Sequence, residues 1–328
     1  MSKKILVTGA DGLLGSNLVR ELLDRGYSVK AFVQPGRKVN TLDGLPIEKF
    51  EGNLLKKESV REAMTGCEIV IHAAASTSVW PVRQEIIRKV NIEGSVNIAE
   101  CALEGQIEKM VYVGTASTFG FGTMENPGTE KNSYVSHKYG MDYMDSKYEA
   151  HKKMLDFASK GLNVSIVNPT FMIGAYDSGP SSGAMIIALY KGKVPGFTNG
   201  GRNYIYVKDA AKGIANAITL GRKGESYIIG NENLSYKDAF IKIADALGVK
   251  PPSRRVPDWF MLTYGRFSSM SAKIRGNTPA VSYNLAMIGI DKHYFSAQKA
   301  VEELQLPQTP IEVAVKEAAD WFRENKYI

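Results

Sequence analysis

Apolar residues in this chain fall in short bulky runs, separated by stretches where they recur every three or four positions. The runs predict strands at 3–8, 28–34, 47–51, 68–73, 109–115 and 162–168, as continuous as strands buried on both faces should be. Between them the helical period predicts helices at 12–25, 56–65, 82–104 and 137–160. Strand and helix in alternation specify an α/β protein of Rossmann type. Its doubly wound parallel sheet is joined by right-handed crossovers.

After about residue 170 the pattern changes. Gly174, Gly179, Pro180, Gly183, Pro195, Gly200 and Gly201 crowd one stretch, and helices are predicted at 207–220, 235–247, 257–274 and 311–325. Residues 171–328 are therefore read as mainly a smaller mixed lobe that shapes a substrate pocket. Segments 162–173 and 203–229 are expected to return to the main sheet. The aromatic-rich stretch from Pro257 to Met270 is flanked by Arg254, Arg255, Arg266, Lys273 and Arg275. It is expected to pack on the core or a subunit partner, with a membrane surface or a substrate lid as alternatives.

The first strand turns into the first helix through Gly9, Gly12 and Gly15. Such a turn gathers free backbone N–H groups and the positive end of a helix at one point, which suits phosphate. Glycine is needed where a Cβ would hold a pyrophosphate away. In this context, a strand before and a helix after, the triplet marks residues 1–170 as a dinucleotide-binding domain.

Tyr143 and Lys147 lie four residues apart inside a predicted helix, one turn from each other on the same face. A phenol titrates near 10, so use as a proton carrier at neutral pH requires favouring the phenolate by ~4 kcal/mol. An ammonium about 4 Å away supplies roughly that much at an intermediate dielectric. Tyr134 and Lys138 repeat the spacing, but in a turn-rich stretch that fixes geometry less well. Thr115 ends the fifth strand, at the sheet edge where ligands of such folds bind. Together Thr115, Tyr143 and Lys147 suit reversible hydride transfer: the threonine polarises a carbonyl, the tyrosine moves the proton, the lysine tunes it and contacts the nicotinamide ribose. His72 ends a buried strand and reads as packed rather than catalytic, and no ligand set for a metal stands out.

Composition adds bounds. The 328 residues are 44% hydrophobic and 23% charged, ordinary for a globular protein, with a net charge of +7. No basic stripe with stacking aromatics points to nucleic acid. Cys67 and Cys101 read as reduced, buried thiols. No signal peptide or membrane-spanning run is visible, so the cytoplasm is the default expectation.

These residues resemble the extended branch of the short-chain dehydrogenase/reductases, the NAD-dependent epimerase/dehydratase family. The likeness runs through Thr8–Gly15, Gly52-Asn53-Leu54, His72–Ala75, Val90–Gly94, Thr115, Tyr143/Lys147, Asn168-Pro169-Thr170, Tyr204–Asp209 and Tyr294–Lys299, and is nearest to dihydroflavonol-reductase-like proteins. It implies that Gly9, Gly12, Leu13, Leu14 and Gly15 hold the pyrophosphate. Asn53 and Leu54 would lie by the adenine, Ala73, Ala74 and Ala75 along the cofactor, and Pro169 near the nicotinamide. Asn53 departs from the family's usual aspartate, though an amide still accepts and donates.

The second strand ends at Gln34 without a carboxylate to hold a ribose 2′-hydroxyl, and Arg37 and Lys38 follow. NADP(H) is therefore the preferred expectation, with NAD(H) open. For substrate, Trp80, Ser117, Phe119, Asn168, Phe171 and Tyr204 are the expected contacts. One reading is a reductase or dehydrogenase of a small, partly apolar carbonyl or alcohol. Another is a nucleotide-sugar epimerase, because Arg202 matches a position where such enzymes bind the substrate diphosphate. A non-catalytic dinucleotide sensor is a third reading. Relatives are often homodimers.

Overall fold

The computed structural model describes residues 2–37 and 39–328. Its main sheet has seven strands: β1 (Lys4–Thr8), β2 (Ser28–Val33), β3 (Glu48–Glu51), β4 (Ile69–His72), β5 (Lys109–Val113), β6 (Val164–Pro169) and β9 (Ser226–Ile229). All pair in parallel, in the order β3-β2-β1-β4-β5-β6-β9. Neighbours of β1 on its two sides follow in opposite chain directions, so a crevice opens at its carboxyl end.

Alternate residues of each strand feed different cores. Ile5, Val7, Ile69, Ile71, Val111 and Val167 face one side. There they meet α1 (Leu13–Asp24) and α7 (Val207–Asn216), while α12 (Ile311–Glu324) joins the same core through Phe171–Ile173 and Gly201–Tyr206. Leu6, Val70, Met110, Tyr112 and Ile166 face the other. That side is covered by α2 (Lys57–Met64), α4 (Gly94–Glu104) and α5 (Asp142–Ser159). In α1 the spacing of Leu18, Val19 and Leu22 puts three fully buried side chains on one stripe, each contributing about 1.5–3 kcal/mol. The short α3 (Glu85–Arg88) runs through a π turn at Lys89–Glu93 into α4, where one continuous helix was predicted. The predicted 137–160 helix begins only at Asp142, because Gly140 adopts a left-handed conformation after the turn Ser136–Tyr139.

A second sheet is built from β7 (Phe171–Ile173), β8 (Gly201–Tyr206), β10 (Glu232–Ser235) and β11 (Lys292–His293). Of the segments expected to rejoin the main sheet, only β6 and β9 do so. Phe171–Ile173 and Gly201–Tyr206 pair with each other instead. Around this sheet lie α6 (Gly183–Tyr190), α8 (Tyr236–Leu247), α9 (Asp258–Arg275), α10 (Tyr283–Ile290) and α11 (Gln298–Leu304).

In helix α9 only Gly265 and Ala272 are buried and the aromatic residues face outward, which corrects the expectation of packing on the core and does not touch that of packing on a subunit partner. Among the described residues no helix is long and apolar enough to cross a membrane. Cys67 and Cys101 are free and buried.

Candidate active site

The glycine turn has distinct tasks at its three positions. Gly9 sits at φ +68°, and a Cβ there would lie 2.7 Å from the Ala74 backbone. A Cβ on Gly15 would lie 2.0 Å from the Gly9 carbonyl oxygen, so the helix could not seat against the strand. Gly12 differs, because its Cβ would meet only the Gly9 oxygen at 3.6 Å. Gly12 is the N-cap of α1, makes no side-chain cap, and no acidic residue occupies the first turn. The helix thus offers uncapped N–H groups to an anion.

Beside this turn a cleft of about 420 Å³ is lined by Gly9, Gln34, Arg37, Asn53, Leu54, Ala74 and Ala75 from the expected set. Asp11, Phe32, Pro35, Gly52, Leu55, Lys56 and Val90 complete it and were not anticipated. Ala73 packs against the core. Leu14 is buried there and Leu13 packs on it, so their side chains do not face the cleft. Lys38 lies outside the described residues. Arg37 is not free: its Nε lies 2.5 Å from the Asp11 carboxylate. The Asn53 oxygen accepts the Leu55 backbone N–H at 2.9 Å, leaving the amide's NH2 group to face a ligand. The uncapped helix end, the bare Gly12 and this cleft fit a dinucleotide.

Behind the cleft runs a buried chain of hydrogen bonds. The Ala74 N–H donates to Thr8 Oγ1 at 3.2 Å, which lies 2.7 Å from His72 Nδ1. His72 Nε2 lies 3.0 Å from Ser95 Oγ, which donates to the Asn91 carbonyl at 2.7 Å. Because Ser95 spends its proton on that carbonyl, His72 carries its own on Nε2 and accepts from Thr8. Burial pulls the His72 pKa down to about 3. The Asn91 side chain in turn grips Ser76 through both its backbone N–H and carbonyl, and donates to Ser146 Oγ at 2.9 Å on α5.

A second cavity, of about 240 Å³, collects Thr115, Ser117, Tyr143, Pro169, Phe171 and Arg202 from the predicted residues. Met144, Asn203, Leu285, Ile288, His293 and Phe295 also line it and were missed. Four expected substrate residues stand elsewhere. Trp80 donates its indole N–H to the Asn277 carbonyl at 3.2 Å. Phe119 is buried edge-on to His151. Asn168 is wholly buried, near the Thr118 hydroxyl. Tyr204 is core, with Phe171 edge-on against it at 5.5 Å.

The electrostatics differ from expectation. Burial pushes the Tyr143 phenol above its usual range, with only the Thr115 hydroxyl pulling the other way. Lys147 is buried too, and desolvation lowers its pKa to about 7. Its Nζ donates to the Val113 carbonyl at 2.7 Å, and sits 4.6 Å from the Tyr112 ring centre. Removal from water sets both shifts, and no attraction between the phenolate and the ammonium offsets it. The other Tyr/Lys pair is spent structurally: Tyr134 donates to Asp145 at 2.7 Å and stacks on Tyr148, while Lys138 pairs with Asp291 at 2.8 Å.

Arg202 enters the cavity from β8. Its Nε donates to the Tyr236 hydroxyl at 2.6 Å and its guanidinium lies 4.7 Å from the Phe171 ring centre. No carboxylate pairs with it among the described residues. Nearby His293 lies 3.1 Å from the Tyr139 hydroxyl, and burial pulls its pKa down to about 3.

Comparison with known proteins shows the family and the fold. A protein of Synechocystis sp. provisionally named a dihydroflavonol 4-reductase is 33% identical over 334 residues, covering 100% of this chain and 97% of its own length. The crystal structure of a protein called gox2253 superposes with a TM-score of 0.88 at 31% identity, covering both chains fully. The UDP-glucose 4-epimerase of Thermus thermophilus, solved in complex with NAD, has a TM-score of 0.77 over 98% of this chain and 99% of its own. At 21% identity it shows the shared fold alone. Residues 5–230 match the NAD dependent epimerase/dehydratase family. The chain belongs to that family, the extended short-chain dehydrogenase/reductases, and is an NAD(P)-dependent enzyme.

Proposed function

We propose that this enzyme interconverts a carbonyl and a secondary alcohol on a substrate with an apolar body and one acidic group. The observation that carries this reading is the composition of a single cavity. Thr115 and Tyr143 open on it, Met144, Phe171, Leu285, Ile288 and Phe295 give it an apolar wall, and Arg202 brings an unpaired guanidinium. A half-buried charge of this kind favours a partner, and a carboxylate or phosphate on the substrate supplies one.

The bound cofactor supplies the hydride. Tyr143 holds the proton for the substrate oxygen, and its raised pKa keeps the phenol stocked with that proton at neutral pH. The Thr115 hydroxyl orients the same oxygen. Lys147, one turn further along α5, titrates near neutrality and would offer the cofactor's ribose an adjustable positive charge. The proposed cofactor is NADP(H). Gln34 offers no carboxylate to repel a 2′-phosphate, and Arg37 and Lys56 line the cleft against the single acid Asp11.

A nucleotide-sugar epimerase is the second reading, favoured by the same Arg202, which would serve a diphosphate equally well. A cavity of about 240 Å³ lies below the roughly 300–1,000 Å³ usual for larger ligands, which favours the smaller substrate.

The deciding experiment measures NADPH oxidation with neutral ketones, oxo-acids and nucleotide sugars, using the parent and Arg202→Gln. Expected is turnover of an oxo-acid, with kcat/KM lost by about 10²-fold or more in the variant and little change for a neutral ketone. Epimer formation without net NADPH consumption would replace this reading by the second.

A further inference from the structure

Helix α9 turns its largest side chains to solvent. At about 100° per residue, Trp259, Phe260, Phe267, Met270 and Ile274 share one face, with Tyr264 at its margin. Trp259, Phe267 and Ile274 are 69%, 64% and 81% exposed. The opposite face is seated tightly on α10: a Cβ at Gly265 would lie 2.9 Å from that of Ala286, and Ala272 is buried. The helix is therefore held in a fixed orientation by its small residues, with its apolar stripe outward. Such a stripe exceeds the scattered apolar exposure of an ordinary surface.

Charge says what covers it. Arg266 and Lys273 edge the stripe on one side and Arg275 on the other, with Arg254 and Arg255 just ahead of the helix. None of these five forms an ion pair among the described residues, and the Arg266 guanidinium lies over the Tyr283 ring. From Lys250 to Ile290 the chain has six cations and a single carboxylate, Asp258, a net of +5 within a total of +7.

We infer that α9 docks this enzyme on the surface of a bilayer that carries anionic headgroups. An in-plane helix buries an apolar face about 5–10 Å deep while flanking cations meet the headgroups, and tryptophan and tyrosine suit that boundary. The length fits a surface anchor, since 18 residues span about 27 Å. A second copy of the chain is the poorer occupant. A two-fold contact would set this carboxylate-poor cationic segment against itself. Docking also has a local consequence, because Leu285 and Ile288 of α10 line the substrate cavity. One helix then separates that cavity from the membrane.

The test is flotation of the full chain with phosphatidylcholine vesicles, with and without phosphatidylglycerol. Partitioning should rise at least about tenfold with the anionic lipid and fall with salt, and Trp259 emission should shift to the blue. Phe267→Ser with Ile274→Ser should cut partitioning by about tenfold or more. Lys273→Glu with Arg275→Glu should abolish the preference for phosphatidylglycerol. All four side chains are exposed, so both variants should keep the parent's thermal transition and NADPH affinity. The inference is overturned if the parent ignores anionic vesicles or the variants bind them unchanged. It is also overturned if the parent is an oligomer in solution that Phe267→Ser with Ile274→Ser dissociates.

Discussion

The Lys147 ammonium donates to the carbonyl oxygen of Val113 at 2.7 Å, across 34 residues of chain. This bond ties the helix that carries Tyr143 to the end of the strand that leads to Thr115. It also places a charge where water cannot reach it, and that has a price in stability.

Lys147→Met should therefore stabilise the cofactor-stripped protein while removing activity. The lysine's folded pKa, about 7, lies below its unfolded value near 10.4. The unfolded chain binds the extra proton between those values, so stability rises with pH across that window. The penalty is fully present below about 7 and gone above about 10.4. Thermal melts should show a gain of about 1–3 kcal/mol for the variant at pH 6, shrinking toward pH 10. No gain at pH 6 would mean the lysine is better solvated than its surroundings indicate.

Tyr143→Phe removes only the hydroxyl from a ring that fills its place. Turnover should fall by about 10²–10⁴-fold, with NADPH affinity within twofold of the parent by fluorescence titration. Surviving activity would show that another group moves the proton.

Gly12→Ala and Gly15→Ala should fail differently. At Gly12 the added methyl meets nothing closer than 3.6 Å, so the melting temperature should hold while cofactor affinity drops by about tenfold or more. At Gly15 the methyl would fall 2.0 Å from a backbone oxygen, and the fold should lose about 3 kcal/mol or more. Equal melting temperatures for the two variants would contradict this division of labour.

Arg37→Ala should weaken NADPH about tenfold and NADH little, measured by titration of each. The side chain is already paired with Asp11, so Asp11→Asn should free it and tighten NADPH. An equal loss for both cofactors would assign Arg37 to holding the loop instead of the phosphate.

What the chain discloses in advance follows from distance along it. The glycine triplet and the Tyr143/Lys147 pair are local: each sits within one turn or one helix, where spacing alone sets geometry. The doubly wound sheet was legible for the same reason, as every strand but β9 announces itself by its own run. The cavity's far wall was not. Leu285, Ile288, His293 and Phe295 come more than a hundred residues after Thr115. They are brought back by α10 and by β11, a strand of two residues paired to β8. No periodicity marks so short a strand. The aromatic character of Trp80, Phe119 and Tyr204 serves a core as well as a pocket. The Tyr143 and Lys147 environments escaped too, since desolvation depends on side chains from β5 and the following turn.

The chain of hydrogen bonds through His72 has a consequence for acid tolerance. Every hydrogen along it is already committed, from the Ala74 amide to the Asn91 carbonyl, and the imidazole takes up no second one until about pH 3. Mild acidification therefore leaves the floor of the nucleotide groove standing. Lys147, on the helix of Tyr143, titrates nearer neutrality, so the two halves of the site answer to different regions of the pH scale.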